Sequence, residues 1–137
     1  MNIDKYKNQH SEIMQCIAEL RKFAQEGIGR NATEIAHTIV SMSSTIKLHL
    51  AVEDQALYPA LQSGNNSALA KMGRKFQDEM AAIASAYVGF AGRWNSAAKL
   101  TLDPEGFRSD ANSVLKILHE RIQAENMVFY PAIETLQ

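Results

Sequence analysis

Apolar residues recur along this chain at intervals of three and four positions, which is the period of an amphipathic α-helix. The first stripe consists of Ile3, Tyr6, His10, Ile13, Met14, Ile17 and Leu20. It predicts a helix over residues 6–26. Gly27 and Gly29 follow that helix, and glycine is preferred just past a helix end. One histidine therefore lies among the apolar positions of the first predicted helix.

The second and third predicted helices are also bounded by local signals. Asn31 precedes the second stripe, and Glu34 three positions later completes the spacing of a capping box. We expect this helix to bend or break near Pro59, because proline lacks an amide donor and clashes with the preceding turn. Ser67 is in position to cap the third helix, which we expect to end near residues 95–96.

The fourth predicted helix begins at Asp103, because aspartate at the cap followed by Pro104 is a strong start signal. Its inward stripe consists of Ala111, Val114, Leu118, Ile122, Glu125 and Phe129. Four long amphipathic helices joined by short links predict an all-α, antiparallel up-down four-helix bundle. No strand pattern competes with this prediction, and residues 1–137 form a single predicted domain.

One motif occurs twice. The segment from His49 to Pro59 aligns without a gap with the segment from Arg121 to Pro131. Each has glutamate at its fifth position, followed by Asp or Asn, and each ends in Tyr-Pro. A motif that recurs at long spacing indicates two similar halves. The halves differ at their first residue, which is His49 in one and Arg121 in the other. The difference matters because imidazole can bind a metal, whereas guanidinium has no lone pair to give.

Polar residues lie in the middle of the apolar stripes. At about 100° per residue, His49 falls about 40° from Glu53 on one helix face. A carboxylate or imidazole there must find a partner, and four-helix bundles often provide a metal between facing helices. Together with His10, these residues make the minimum set for an iron site with open positions. The alternative is a hydrogen-bonded His–Glu pair that only holds the core together.

The chain resembles the hemerythrin-like HHE cation-binding family over nearly its whole length. The resemblance is carried by His10, His49, Glu53, Asp54, Leu57-Tyr58-Pro59, Glu79-Met80, Glu125 and Phe129-Tyr130-Pro131. It implies a four-helix bundle that holds a non-haem di-iron centre through histidines from all four helices and two bridging carboxylates. Family members bind or sense oxygen or nitric oxide, or handle iron. The residues that match ligand positions are His10, His49, Glu53 and Glu125.

Two positions depart from the family pattern. Met80 and Arg121 stand where the family usually has ligand histidines, and neither side chain suits iron. Glu79 could turn inward as a ligand or pair with Arg121. His119 is a further candidate, although it lies about 120° from Glu125 around the helix. The sequence therefore predicts that half of the di-iron site is lost.

Three functional interpretations follow. The first is a metal-binding protein with one or two non-haem irons, zinc being a substitute, that binds a small diatomic ligand such as oxygen or nitric oxide. We favour one iron, with Arg121 replacing the charge of the second. The second is a metal-free interaction or regulatory module in which Arg121 bridges Glu53 and Glu125. The third, an iron oxygenase or peroxidase, is least favoured because no substrate-binding insertion is evident, and we expect no enzyme and no catalytic residues.

Composition and charge argue against nucleic-acid-binding, membrane and secreted proteins. The formal net charge is −1, and Lys and Arg are not clustered, so we expect neither nucleic-acid nor membrane binding. Cys16 is the single cysteine, which suits a reducing compartment. No signal peptide and no apolar run of about 20 residues are evident. We therefore expect a cytoplasmic protein, whose oligomeric state is open and compatible with a homodimer.

Overall fold

The computed structural model describes residues 2–136, and the chain is helical along most of that length. The helices are α1 (Asp4–Glu26), α2 (Ala32–Val52), α3 (Tyr58–Gln62), α4 (Ser67–Trp94), α5 (Ala97–Leu102), α6 (Pro104–Ala124) and α7 (Tyr130–Leu136). No strand occurs among these residues. None of the described helices is long and apolar enough to cross a membrane.

The four long helices pack in a square. Helix α1 contacts α2 and α6, and α4 contacts the same two helices from the opposite corner. Helices that are neighbours in sequence are therefore neighbours in space, as short links require of an up-down bundle. The prediction of an all-α bundle is confirmed.

The bundle has two apolar cores rather than one. The first includes Ile13, Ile17, Ile39, Phe90 and Phe107, and it extends to the end of the bundle where α5 packs. The second includes Tyr6, Leu57, Phe76, Phe129 and Ile133. Buried polar residues lie between the two cores along α1, α2 and α6. The fold therefore holds a polar layer across the middle of its interior.

A π-helical turn immediately precedes each of the two Tyr-Pro pairs. The two turns span Glu53–Leu57 and Glu125–Phe129, and they join α2 to α3 and α6 to α7. The amide of Tyr58 donates to the carbonyl oxygen of Glu53, and the amide of Tyr130 donates to that of Glu125, five residues earlier in each case. The wider turn accommodates a proline that has no amide to donate. Of the bend or break expected near Pro59, the break does not occur, because the helix continues through Pro59 with a changed hydrogen-bonding pattern.

The predicted capping box at Asn31 is wrong. Its side chain makes no hydrogen bond at the start of α2. The amide nitrogen Nδ2 instead donates to the carbonyl oxygens of Phe23 and Gly27, at 3.3 and 3.0 Å. These carbonyls lie at the end of α1 and just after it, and each also accepts a backbone amide, from Gly27 and from Asn31 respectively. Asn31 is therefore the N-cap residue of α2 as predicted, and its carbonyl oxygen accepts from the amide of Ile35, but its side chain closes the first helix.

The other two predicted caps have mixed outcomes. Helix α4 is capped by Asn66, whose side chain accepts from the amide of Leu69, and not by Ser67. Asp103 caps α6 as expected and accepts from the amide of Gly106 at 3.0 Å. Asn and Ser are both good caps, so adjacent candidates cannot be separated by residue type alone.

Candidate metal centre

The polar layer contains five buried polar or charged side chains, each no more than 4% exposed. They are His10, His49, Glu53, Arg121 and Glu125. The 3.6-residue repeat of α1, α2 and α6 turns the histidines and the arginine inward, and each glutamate is the first residue of a π turn. Charges this deeply buried must be compensated locally.

Four nitrogen and oxygen atoms converge at the centre of this layer. Nε2 of His10 lies 3.1 Å from Nε2 of His49 and 2.9 Å from Oε1 of Glu125. Nε2 of His49 lies 3.3 Å from Oε1 of Glu53 and 3.8 Å from Oε1 of Glu125. The ligand atoms of the two histidines and Glu125 lie within 4.8 Å of one another, which is compact enough to hold a metal ion.

The outer nitrogens of both imidazoles fix which ring atoms face this centre. Nδ1 of His10 lies 2.7 Å from Oδ1 of Asn126, and Nδ1 of His49 lies 2.7 Å from Oε1 of Gln9. Amide oxygens only accept hydrogen bonds, so each Nδ1 carries the proton. Burial also lowers the pKa of His49, which favours its neutral form. In the neutral rings the Nε2 lone pairs therefore face the centre, as they do in histidines held for a metal, and Nε2 donates to Glu125 only in a ring that carries a second proton.

The two glutamates are not equivalent. Burial raises the pKa of Glu53 well above its ordinary value, and the negative charge of Glu125 raises it further. Burial would also raise the pKa of Glu125, but hydrogen bonds with His10 and His49 and then the charge of Arg121 hold it well below its ordinary value. Both carboxyl groups can ionise together only with an added positive charge between them.

One buried oxygen marks where such a charge would lie. Oε1 of Glu53 is fully buried and has no hydrogen-bond partner within residues 2–136, although Nε2 of His49 lies only 3.3 Å away. Two lone-pair atoms at that distance repel each other unless a cation or a proton lies between them. The residues present therefore fit a metal ion, which would satisfy this oxygen together with both imidazoles.

Arg121 fills the side of the layer that faces α4. Its NH2 donates to the carbonyl oxygen of Phe76 at 2.7 Å, to the hydroxyl of Tyr58 at 3.2 Å and to Oε2 of Glu125 at 3.5 Å. The guanidinium also lies over the ring of Phe76, with 4.6 Å between its central carbon and the ring centroid. A fixed positive charge is thus held one turn from Glu125, on a helix where the family usually has a ligand histidine.

The predicted bridge from Arg121 to both glutamates is only half formed. Among the described contacts, Arg121 meets Glu125 but makes no hydrogen bond with Glu53. Oε2 of Glu53 instead accepts from the hydroxyl of Tyr130 at 3.4 Å. The π turn places Glu53 nearer to His49 than to the guanidinium, so the core network runs through Tyr130.

The additional candidates lie outside the cluster. The carboxylate Oε2 of Glu79 is 3.9 Å from NH1 of Arg121, and its side chain is 53% exposed, so Glu79 faces the arginine rather than the centre. Nε2 of His119 lies 3.3 Å from the side-chain nitrogen of Gln123 on an exposed face. Met80 is buried, and its thioether fills the position where the family usually has another histidine.

Two tyrosines belong to the layer, although the sequence pattern gave them no role. The ring of Tyr130 stacks on that of His10, with centroids 5.0 Å apart, and its hydroxyl lies 3.2 Å from Nε2 of His10. Burial raises the pKa values of Tyr58 and Tyr130 far above the ordinary range, so both remain protonated donors. The signal was present in the repeated Tyr-Pro pairs, which end both copies of the motif.

Comparison with known proteins adds a family to this geometry. The family model described as the Hemerythrin HHE cation binding domain matches residues 1–133 of the chain. No curated protein and no solved structure matches it significantly.

Proposed function

Because this chain belongs to the hemerythrin HHE cation-binding domain family, we propose that it binds a single non-haem iron ion in the polar layer. The proposed ligands are His10, His49, Glu53 and Glu125. The observation that carries the proposal is the convergence of two imidazole lone pairs on two carboxylate oxygens, one of which has no other partner among the described residues. Nitrogen and carboxylate ligands suit iron, and zinc is the natural substitute.

We propose one ion rather than two because of Arg121 and Met80. The guanidinium is buried next to Glu125 and repels a second cation. The thioether of Met80 is a poor ligand for iron. Arg121 therefore supplies, as a permanent charge, part of the compensation that a second metal supplies elsewhere in the family.

The ligand of such a centre is proposed to be a small diatomic molecule. An iron ion with an open coordination position would supply the binding site for oxygen or nitric oxide. The cluster residues are 0–3% exposed and lie between two apolar cores, which favours ligands of that size and disfavours organic substrates. The hydroxyl of Tyr130 faces the same centre and offers a hydrogen-bond donor. We therefore propose binding or sensing rather than catalysis.

The metal-free regulatory module is the second candidate. The contacts of Glu125 with His10 at 2.9 Å and with Arg121 at 3.5 Å favour it, because they give this buried carboxylate partners without a metal. In that case the buried polar residues of the layer would only stabilise the core, and function would reside on the outer surface.

Iron content separates the two candidates. The full chain is loaded with Fe(II) without oxygen, desalted and analysed by mass spectrometry, with an optical spectrum in air and after reduction. We expect about one iron per chain in the wild type and in His37→Gln, and about tenfold less in His49→Gln. His37 is a matched control because it lies exposed on the same helix.

Two outcomes would contradict the proposal. About two irons with oxo-bridged charge-transfer bands would show that other residues rebuild a di-iron site. No iron in folded wild-type protein would favour the metal-free module.

A further inference from the structure

A groove with a volume of about 740 Å³ opens between α4 and α6, beside Arg121. Its apolar lining consists of Ala68, Met72, Phe76, Ile83, Ile117, Ala124 and Val128. The four proposed metal ligands do not line it. The volume is typical of sites for small organic molecules. The groove is therefore a second candidate site, separate from the metal cluster.

Arg121 brings unused hydrogen-bond donors to this groove. Its NH2 is occupied by partners in the polar layer, but its NH1 and Nε are buried and have no hydrogen-bond partner in the described part of the chain. The nearest carboxylate to NH1 is that of Glu79, which also lines the groove but stays 3.9 Å away. A buried guanidinium nitrogen without an acceptor is unfavourable, so an anion that accepts from it would be stabilising.

The other charged residues around the groove favour the same ligand chemistry. Lys71 and Lys75 line it from the turns of α4 before Glu79, and Glu120 lines it from α6. The charge of Arg121 is shared with Glu125, and the two lysines are matched in number by the two glutamates. Both glutamates of the lining are on exposed positions and can turn to solvent, which leaves the lysines free to attract an anion beside the apolar walls.

Part of the apolar rim is exposed to solvent. Ile117 is 42% exposed and Val128 is 53% exposed, and both line the groove. A bare inorganic anion would leave this surface uncovered, whereas an aliphatic tail would bury it. The ligand that matches both observations carries one negative charge at one end and hydrocarbon at the other.

We propose that this groove binds a free aliphatic carboxylic acid. The carboxylate accepts from NH1 of Arg121 and lies near Lys75, and it displaces the exposed side chain of Glu79 towards solvent. The tail lies along the apolar walls of α4 and α6. The proposal does not depend on iron, because Arg121 lines the groove whether or not a metal occupies the polar layer.

The test is a titration of the full isotope-labelled chain with decanoate, below its micellar concentration, followed by ¹⁵N amide shifts. Decan-1-ol serves as the uncharged probe. We expect saturable shifts at the groove with a dissociation constant of about 0.1–1 mM for decanoate. Binding of the alcohol should be about tenfold weaker or more, because it lacks the charge. Metal-free and iron-loaded protein are titrated in parallel, so a failure of metal binding leaves this result interpretable.

Two pairs of variants locate the ligand. Glu79→Gln removes the competing carboxylate and should tighten decanoate binding by about 3- to 10-fold. Asp78→Asn makes the same charge change one residue earlier, outside the groove, and should have little effect. Ala68→Trp narrows the groove and should weaken binding, whereas Ala98→Trp on exposed α5 should not.

Three results would overturn the proposal: equal affinities for decanoate and the alcohol, equal responses of Glu79→Gln and Asp78→Asn, or amide shifts that map away from α4 and α6. Equal affinities would mean that the groove is only an apolar surface.

Discussion

Arginine at position 121 changes the chemistry of the polar layer more than any other residue there. Histidine would add a lone pair to the interior, but arginine adds a fixed charge and hydrogen-bond donors. NH2 donates to Phe76, Tyr58 and Glu125, so specific hydrogen bonds hold this guanidinium in the layer. Its charge adds to the contacts with His10 and His49 that together hold the pKa of Glu125 below its ordinary value, even at 1% exposure.

Arg121→His tests whether this charge replaces a metal. The substitution restores a ligand and removes the cation that repels a second iron. We expect iron per chain to rise from about one towards about two, with new charge-transfer bands in air. If the layer is instead a metal-free network, the variant should bind no iron and lose stability, because buried carboxylates would lack their permanent cation.

Asn126→Ala tests the control of ring orientation. Its amide oxygen holds Nδ1 of His10, and partners of this kind typically contribute about 10- to 100-fold to metal affinity. We expect a loss of that size, measured by competition with a chromophoric chelator. Asn112→Ala, at an exposed position of α6, is the control and should bind metal as the wild type does. Equal affinities for both variants would remove the role assigned to Asn126.

Residue-scale prediction from sequence succeeded where one helix face decides the outcome. The 3.6-residue repeat placed His49, Glu53 and Arg121 in the interior, and all three are buried. It could not identify Gln9 or Asn126 as partners of the histidines. Each reaches a ring on another helix, and such contacts depend on the register between helices.

At the scale of elements, the two π turns are the feature that sequence signals described least well. The Tyr-Pro pairs predicted a disturbance, but proline alone does not say whether a helix kinks, ends or widens. The structure widens it twice, and both wide turns begin at a glutamate of the polar layer. π turns often occur at functional sites. Here the repeat thus aims two carboxylates at the centre of the bundle.

The short link expected between the third and fourth predicted helices is also structured. Residues Ala97–Leu102 form α5, and Leu100 within it is fully buried in the first apolar core. A six-residue helix carries too few turns for a periodic pattern to reveal it. Nearby, Asp110 on α6 accepts from Nε of Arg93 and from Nε1 of Trp94, at 2.7 Å each. This carboxylate therefore fastens the end of α4 to α6.

Asp110→Asn tests that connection through its pH dependence. Burial acts to raise the pKa of Asp110, but hydrogen bonds from Arg93 and Trp94 lower it below its ordinary value. Its stabilisation is therefore complete above the unfolded-state pKa of about 3.9 and is lost as pH falls through the lower folded-state pKa. We expect the variant to lose about 1–2 kcal/mol in urea unfolding at neutral pH, and less in strong acid.

Asp78→Asn is the matched control for this change, because its carboxylate is exposed on α4. It should alter the free energy of unfolding by less than about 0.5 kcal/mol. A loss in Asp110→Asn that does not shrink in acid would show that the charged hydrogen bonds are not its source.

At the scale of the whole molecule, the layout of two cores around a polar layer explains why fold and site were predictable to different degrees. The bundle could be predicted from four apolar stripes of suitable length, because many apolar residues in each stripe independently indicate the same helix. The polar layer rests on a few residues, and its occupant is absent from the sequence. The residue types of the layer indicate a cation as the ligand. Which cation binds depends on ligand distances and charges, which are set by the packing of the helices.

The layer also predicts that metal and fold stabilise each other. A ligand that binds only the native state at 100 times its dissociation constant adds about 2.7 kcal/mol. We expect thermal unfolding of the metal-free protein to shift upwards on metal loading by about 3 °C for each kcal/mol. His37→Gln should show the same shift, and His49→Gln should lose most of it. An unchanged melting temperature in the wild type would mean that the metal binds outside the native core.

Anomalous X-ray diffraction at the iron edge, on crystals of the anaerobically loaded protein, is the sharpest test of the proposed single-iron site. We expect one anomalous peak per chain, between Nε2 of His10, Nε2 of His49 and the two facing carboxylates. We also expect the guanidinium of Arg121 in place, with no second peak beside it. Two peaks per chain, or one peak away from these side chains, would rule out a single iron in the polar layer.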